Sequence, residues 1–161
     1  MEKTSVLFVC LGNICRSPTA EGIFHRLLKE RNLSEYFEVD SCGTSAYHAG
    51  NPPDSRSQKE AQKRGTDLSF IRSRQFLLED YYRFQHIFPM DERNLADIMD
   101  DYPDNSEAKV ELLLQYNSSI KEKSVPDPYW GGSRGFAHVY EIIEESLVNF
   151  LDQWQKEEQL P

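Results

Sequence analysis

Long hydrophobic runs are the first thing missing from this 161-residue chain. No stretch approaches the roughly 18 consecutive apolar residues of a membrane span, so no membrane association is expected. The start Met1-Glu2-Lys3-Thr4 carries no basic leader, long apolar core or small-residue cleavage site, which predicts a soluble, cytoplasmic protein. Basic residues are also short: 18 Lys and Arg stand against 27 Asp and Glu, a net charge of −9. Nucleic acids and anionic membranes require broad basic surface, so neither is an expected partner. Eight Gly and eight Pro are too few for a linker-rich or disordered chain. Cysteine is scarce and odd in number, with Cys10, Cys15 and Cys42 forming neither a disulfide framework nor paired C-x-x-C ligands. His25, His48, His86 and His138 fall at no recognisable ligand spacing, so no metal and no cofactor is expected.

What remains suits a single domain over residues 1–161, long enough to close one core without staples. Ser5 to Cys10 is a short apolar run, the pattern of a strand buried on both faces. Leu11 to Arg16 interrupts it. Ser17-Pro18-Thr19-Ala20-Glu21 then predicts a helix, with Ser17 as cap, Pro18 first and acids in the first turn. A second strand is expected over 37–42, ending at Gly43. A polar helix follows from Asp54 or Ser55 to Arg64, stopped by Gly65. His86 to Met90 reads as a third strand despite Pro89, and Asp91 can cap a helix to about Met99. Residues 110–114 read as a fourth strand or a helical turn. After a long connection over 117–134, a last helix runs from about Gly135 to Lys156. Strands alternating with helices imply an α/β fold, a small parallel sheet with helices on both faces.

In such sheets ligands bind beyond the carboxyl ends of the strands, where Cys10 falls. A loop leading into a helix offers free backbone N–H groups and the positive end of a dipole to an anion. Arg16, at Cys-x5-Arg-Ser spacing, can meet two phosphate oxygens bidentately, and the positive surroundings favour Cys10 as thiolate. That set points to phosphoryl transfer through a phosphocysteine, without a metal if Arg16 and the amides hold the equatorial oxygens. A cysteine ending a buried strand is more often an inert packing residue. Its place at a strand-to-helix junction, with Gly12 and Asn13 inside the loop, favours the functional reading. Asp127, between Pro126 and Pro128, is a candidate proton donor to the leaving oxygen, with Tyr129 and Trp130 as aromatic walls. Taken alone, that segment reads at least as well as a surface turn packed by two aromatics.

Val9-Cys10-Leu11-Gly12-Asn13-Ile14-Cys15-Arg16-Ser17-Pro18 and Asp127-Pro128-Tyr129 resemble the phosphate loop and general-acid loop of the low-molecular-weight protein tyrosine phosphatases. Length, element order, Asp40-Ser41, Met90-Asp91-Glu92 and Phe136 to Tyr140 also match, so the resemblance spans nearly the whole chain. It implies a single domain with a central four-stranded parallel sheet and a two-step, metal-free hydrolysis of phosphotyrosine proteins and small aryl phosphates. The expected chain is a monomer or weak dimer. By the resemblance, Cys10 attacks phosphorus, Arg16 and the loop from Leu11 to Ser17 hold the phosphate, and Asp127 serves as acid and then base. Asn13, Ser17 and Ser41 match a loop-supporting set, and Tyr47, Tyr129 and Trp130 match cleft-lining positions. Cys15 matches a second loop cysteine able to pair with the nucleophile on oxidation; on its own it reads equally as a packing residue. One departure stands out: Ile71 occupies a position where the family often has a loop-supporting histidine, so the support is expected to be weaker or differently built.

Rival activities are phosphoarginine hydrolysis, arsenate reduction and non-catalytic phosphotyrosine binding. Ile14 stands where phosphoarginine-specific relatives carry a small polar residue. No cysteine follows Cys42 to relay electrons to arsenate. Binding alone requires neither Cys10 nor Asp127.

Overall fold

The computed structural model describes residues 2–129 and 131–160. Parallel strands β1 (Thr4–Cys10), β2 (Phe37–Gly43), β3 (His86–Pro89) and β4 (Lys109–Val110) form one sheet in the order β2-β1-β3-β4. The α-helices among the described residues are α1 (Arg16–Glu30), α2 (Ser55–Lys63), α3 (Asp80–Arg83), α4 (Glu92–Asp100) and α5 (Ser133–Glu157). The chain runs from β1 outward to β2, then returns past β1 to β3. The strand order therefore reverses between β1 and β3, and the crevice outside their carboxyl ends is where such a sheet holds a ligand.

Burial on both faces explains the continuous apolar run in β1. Val6, Phe8 and Cys10 join a core with α1 and α5, while Leu7 and Val9 face Tyr81, Phe84 and Ile98 of α3, its flank and α4. Phe8 lies edge-on to Phe24 at 5.8 Å and stacks on Phe88 at 5.9 Å, and Phe88 meets Phe150 of α5 at 5.1 Å. Truncating so enclosed an aromatic side chain costs about 3–5 kcal/mol, so this cluster anchors the floor beneath the loop after Cys10. Along α5, Phe136, Val139, Ile143, Leu147, Phe150 and Trp154 are all buried on one stripe. At its far end, Trp154 Nε1–H donates to Thr4 Oγ1 at 3.1 Å, tying α5 to the first strand.

Several local expectations need correction. Ser17 does not cap α1, which starts at Arg16 with Cys15 as the cap residue and no acid in the first turn. The Ser17 hydroxyl is engaged by Cys10 and Asn13 instead. The fourth strand is only Lys109–Val110, and Leu113–Tyr116 form a 3-10 turn. Leu113 and Leu114 are both buried there. Helix α3 was not anticipated; four residues carry too little periodicity to register. Trp130 lies outside the described residues.

Candidate active site

Cys10 ends β1 on the crevice, and the chain turns through residues 11–15 before α1 begins. Its carbonyls are pulled outward. Cys10 and Leu11 C=O accept from Thr44 and Ser45 N–H, each at 2.9 Å, Gly12 C=O from Ser73 Oγ at 2.9 Å, and Ile14 C=O from Asp54 N–H at 2.7 Å. In a trans peptide an outward carbonyl turns the following N–H the other way. Asn13 N–H, sharing its peptide with the Gly12 carbonyl, accordingly lies 3.3 Å from Cys10 Sγ. Successive inward amides make an anion cradle at the positive end of α1. Gly43 is required beneath it, because a Cβ there would sit 2.7 Å from Leu11 O.

Asn13 keys the loop from behind. It adopts φ +57, a left-handed conformation that Asn tolerates better than most residues, and it is 0 % exposed. Its Nδ2 donates to Ser17 Oγ at 2.8 Å and Ser41 Oγ at 3.0 Å, and its Oδ1 accepts Arg74 N–H at 3.1 Å. Glu21 sets the direction of this network. As a carboxylate it only accepts, so Ser41 spends its single hydrogen on Glu21 at 2.6 Å and presents a lone pair to Asn13. Ser17, accepting from Asn13, is left to donate; its acceptors are Cys10 Sγ at 3.0 Å and Cys42 O at 3.3 Å.

Ile71 takes no part in this support, being packed in the core. Arg74, three residues on, supplies the bond to Asn13 from its backbone. Its guanidinium is locked on Asp80 at 2.9 and 3.0 Å and on Asp40 at 3.0 Å. Burial opposes that guanidinium's charge, but the Asp80 bond, Cys42 and Asp40 outweigh it and hold Arg74 well above its ordinary value. His25 Nε2 also lies 3.4 Å from Glu21 Oε2, one helical turn along α1. The described support of Asn13 thus comes from the Arg74 backbone N–H and the Ser17 and Ser41 hydroxyls, with Glu21 behind Ser41.

Arg16 is buried and aimed by Asp91, whose Oδ2 accepts Nη1–H at 2.6 Å while Oδ1 caps α4 through Asn94 N–H at 2.7 Å. Val125 C=O takes the same nitrogen at 3.0 Å. Burial alone would lower the guanidinium, but the Cys10 sulfur and Asp91 more than offset it and hold Arg16 above its ordinary value. The sequence suggested Asp91 only as a helix cap; its second oxygen serves a residue 75 positions away. Cys15 lines the same cleft. Burial, then the nearby Asp54, pushes its thiol up to about 12, so it rests protonated.

A cleft of about 460 Å³ opens over these groups. Cys10 and Arg16 lie at its base with Gly12, and Leu11, Ile14, Tyr47, His48 and Tyr129 line it. Asp127 stands at the rim with its side chain 38 % exposed, one oxygen accepting Tyr129 N–H at 3.0 Å and the other 3.9 Å from Arg16 Nη2. Leu11, Gly12, Ile14, Cys15, Tyr47 and Tyr129 line the cleft. The side chains of Asn13, Ser17 and Ser41 lie buried behind the loop and bond one another there, the place of a loop-supporting set. His48 and Ser45 were missed; His48 lies edge-on to Tyr47 at 4.8 Å and so close over Gly12 that a Cβ there would meet its ring at 2.9 Å. An isolated histidine in a turn-rich stretch gave no signal for that placement. Among the described residues, no group of three or more His, Cys, Asp or Glu side chains is arranged to hold a metal ion.

A thiol and a guanidinium sharing an anion-cradling strand-to-helix loop, on a parallel α/β sheet, define a class of cysteine-based phosphate site. The sequence pattern of the family described as low molecular weight phosphotyrosine protein phosphatase matches residues 5–160. The chain is 45% identical over 151 residues to the human low molecular weight phosphotyrosine protein phosphatase, covering 92% of this chain and 94% of that protein. In structure it is similar to a protein tyrosine phosphatase from Entamoeba histolytica, crystallised with Hepes in the active site. The TM-score is 0.92 at 36% identity, over 97% of this chain and 99% of that one. It is also similar to a Drosophila arginine phosphatase, with a TM-score of 0.87 at 34% identity, over 93% of this chain and 97% of that one. The chain belongs to the low molecular weight phosphotyrosine protein phosphatase family.

Proposed function

We propose that this enzyme hydrolyses phosphotyrosine in proteins, and small aryl phosphates, with Cys10 as nucleophile, Arg16 and the loop amides as phosphate holders, and Asp127 as acid and base. The carrying observation is that Cys10 and Arg16, on one loop, and Asp127, more than a hundred residues away, share one cleft with aromatic walls. In the first step the Cys10 S–P bond forms as the P–O bond to the phenol breaks, and the Asp127 carboxyl gives its proton to the leaving oxygen. In the second, the Asp127 carboxylate takes a proton from water, the water oxygen bonds to phosphorus, and the S–P bond breaks to release phosphate and thiolate. An anionic sulfur can accept from both Asn13 N–H and Ser17 Oγ–H, which suits the departing thiolate. Arg16 and the amides match the three equatorial oxygens of the transferring phosphoryl group, the usual site of largest gain.

A reducing, cytoplasmic setting suits a chain with three free buried thiols. Oxidation by a peroxide would join Cys10 and Cys15 as a disulfide with loss of water, and a thiol reductant would restore both. Their common position on the cleft supports this pairing.

Cys10→Ser tests the assignment: turnover of phosphotyrosine should vanish while vanadate or phosphate still binds. Retained turnover would reject Cys10 as nucleophile. The likeness to an arginine phosphatase gives a second reading, phosphoarginine hydrolysis, which Ile14 in the cleft wall disfavours because its apolar bulk suits an aromatic ring. Initial rates on phosphotyrosine and phosphoarginine, with EDTA and reductant present, separate the two.

A further inference from the structure

Arg56 lies in the first turn of α2 and is held from two sides. Its Nε and Nη2 meet the two carboxylate oxygens of Asp54 at 3.1 and 3.0 Å. Asp54 caps α2 through Arg56 N–H at 2.8 Å, and its own N–H bonds Ile14 C=O in the cradle at 2.7 Å. On its other side, the guanidinium carbon lies 5.3 Å from the Tyr129 ring centre and 4.8 Å from that of Phe136. Tyr129 is the cleft wall whose N–H bonds Asp127 Oδ1 at 3.0 Å, and Phe136 lies in the first turn of α5, where the acid-bearing loop ends. A guanidinium can grip a carboxylate with its edge while stacking its faces on rings; an ammonium cannot do both. One cation therefore joins the loop that holds the nucleophile to the loop that holds the acid.

We propose that Arg56 is a positioning residue for proton transfer. Resting on the reading of Asp127 as general acid, it sets where Tyr129, and through it the Asp127 carboxyl, stands relative to the leaving oxygen. Its influence falls on substrates whose leaving group needs that proton. It does not fall on binding of the phosphate.

The test compares kcat/KM for phosphotyrosine, whose phenol titrates near about 10, with kcat/KM for a nitrophenyl phosphate that leaves without help. The wild type, Arg56→Ala, Arg56→Lys and Asp127→Ala are run side by side, with inhibition by inorganic phosphate and the melting temperature measured for each. Arg56→Ala should lower kcat/KM on phosphotyrosine by about tenfold and on the activated ester by less than about twofold, a fraction of the full effect of a general acid. The phosphate inhibition constant should stay within about twofold, and Arg56→Lys should fall between wild type and Arg56→Ala. Equal slowing of both substrates, or weakened phosphate inhibition, would overturn the proposal by placing the effect in the cradle. If Asp127→Ala shows the leaving-group dependence and Arg56→Ala does not, the clamp is wrong and the acid assignment stands. If Asp127→Ala shows none, both fall.

Discussion

The loop after Cys10 and the loop around Asp127 meet at one cleft but are held in different ways. The first is over-determined: buried Asn13, Ser17, Ser41 and Glu21 bond one another behind it, and four of its carbonyls are tied to neighbouring segments. The second is exposed at Asp127 and carries short-range turn bonds, Asp127 with Tyr129 and Pro128 with Gly131, together with stacking on Arg56. The difference follows from what each must do. Amides that stabilise a developing phosphoryl charge work only if already aimed, since reorienting them costs what they would gain. A single proton donor tolerates looser placement, and an aromatic leaving group needs a way in and out.

If that division holds, damage to the first loop should affect every substrate and damage to the second only some. The largest effect is expected from Arg16→Ala, which removes the proposed bidentate partner of the phosphate and leaves Asp91 beside the crevice without its cation. It should reduce kcat/KM for phosphotyrosine and for an activated aryl phosphate alike, by roughly 10³-fold or more. Asp127→Ala should cost about 10²-fold or more on phosphotyrosine and much less on the activated ester. Equal losses there would erase the distinction between the loops. Asn13→Ala should slow both substrates together and lower unfolding stability by about 2–4 kcal/mol in denaturant titrations. It strands three partners, two of them buried, and puts an alanine in a left-handed conformation. A selective loss on phosphotyrosine would mean that the buried network serves the acid loop instead.

The smallest effect lies away from both loops and calibrates them. His86 stacks on Phe88 and meets Phe150 edge-on at the start of β3, and its Nδ1 has no hydrogen-bond partner among the described residues. Burial holds its imidazole below the ordinary value of 6.5; Lys109 adds to this, while Glu111 and Glu157 oppose it. A lowered folded-state value means that the unfolded chain binds the proton more readily. The stability contributed by the neutral ring is therefore complete above 6.5 and is lost as pH falls through the lower folded-state value. His86→Phe should flatten that part of the melting-temperature profile without changing kcat/KM at neutral pH. An unchanged slope would reject the assignment.

What could be read in the sequence was what lies close along the chain. The run from Ser5 to Ser17 carries its own strand, turn and helix signals, so Cys10 and Arg16 were legible with the sheet that positions them. The partners that aim them were not. Asp91 stands 75 residues from Arg16, and Arg74 reaches Asn13 through a backbone N–H, which no residue type announces. Ser17 was misread as a helix cap because its local context is that of a cap. Its hydroxyl follows the stronger claim of Cys10 and Asn13, which only the folded turn brings near. Ile71 pointed to weaker or different support because a side chain can be read from sequence, whereas the Arg74 backbone N–H that bonds Asn13 cannot.

The most direct test of the account is to trap the covalent intermediate. The enzyme is mixed rapidly with a phosphotyrosine peptide carrying labelled phosphate, in EDTA and reductant, quenched in acid and mapped by mass spectrometry. The account predicts phosphate on Cys10, formed in a burst and absent in Cys10→Ser. Label on another residue, or a full burst of product with no phosphoenzyme, would contradict it.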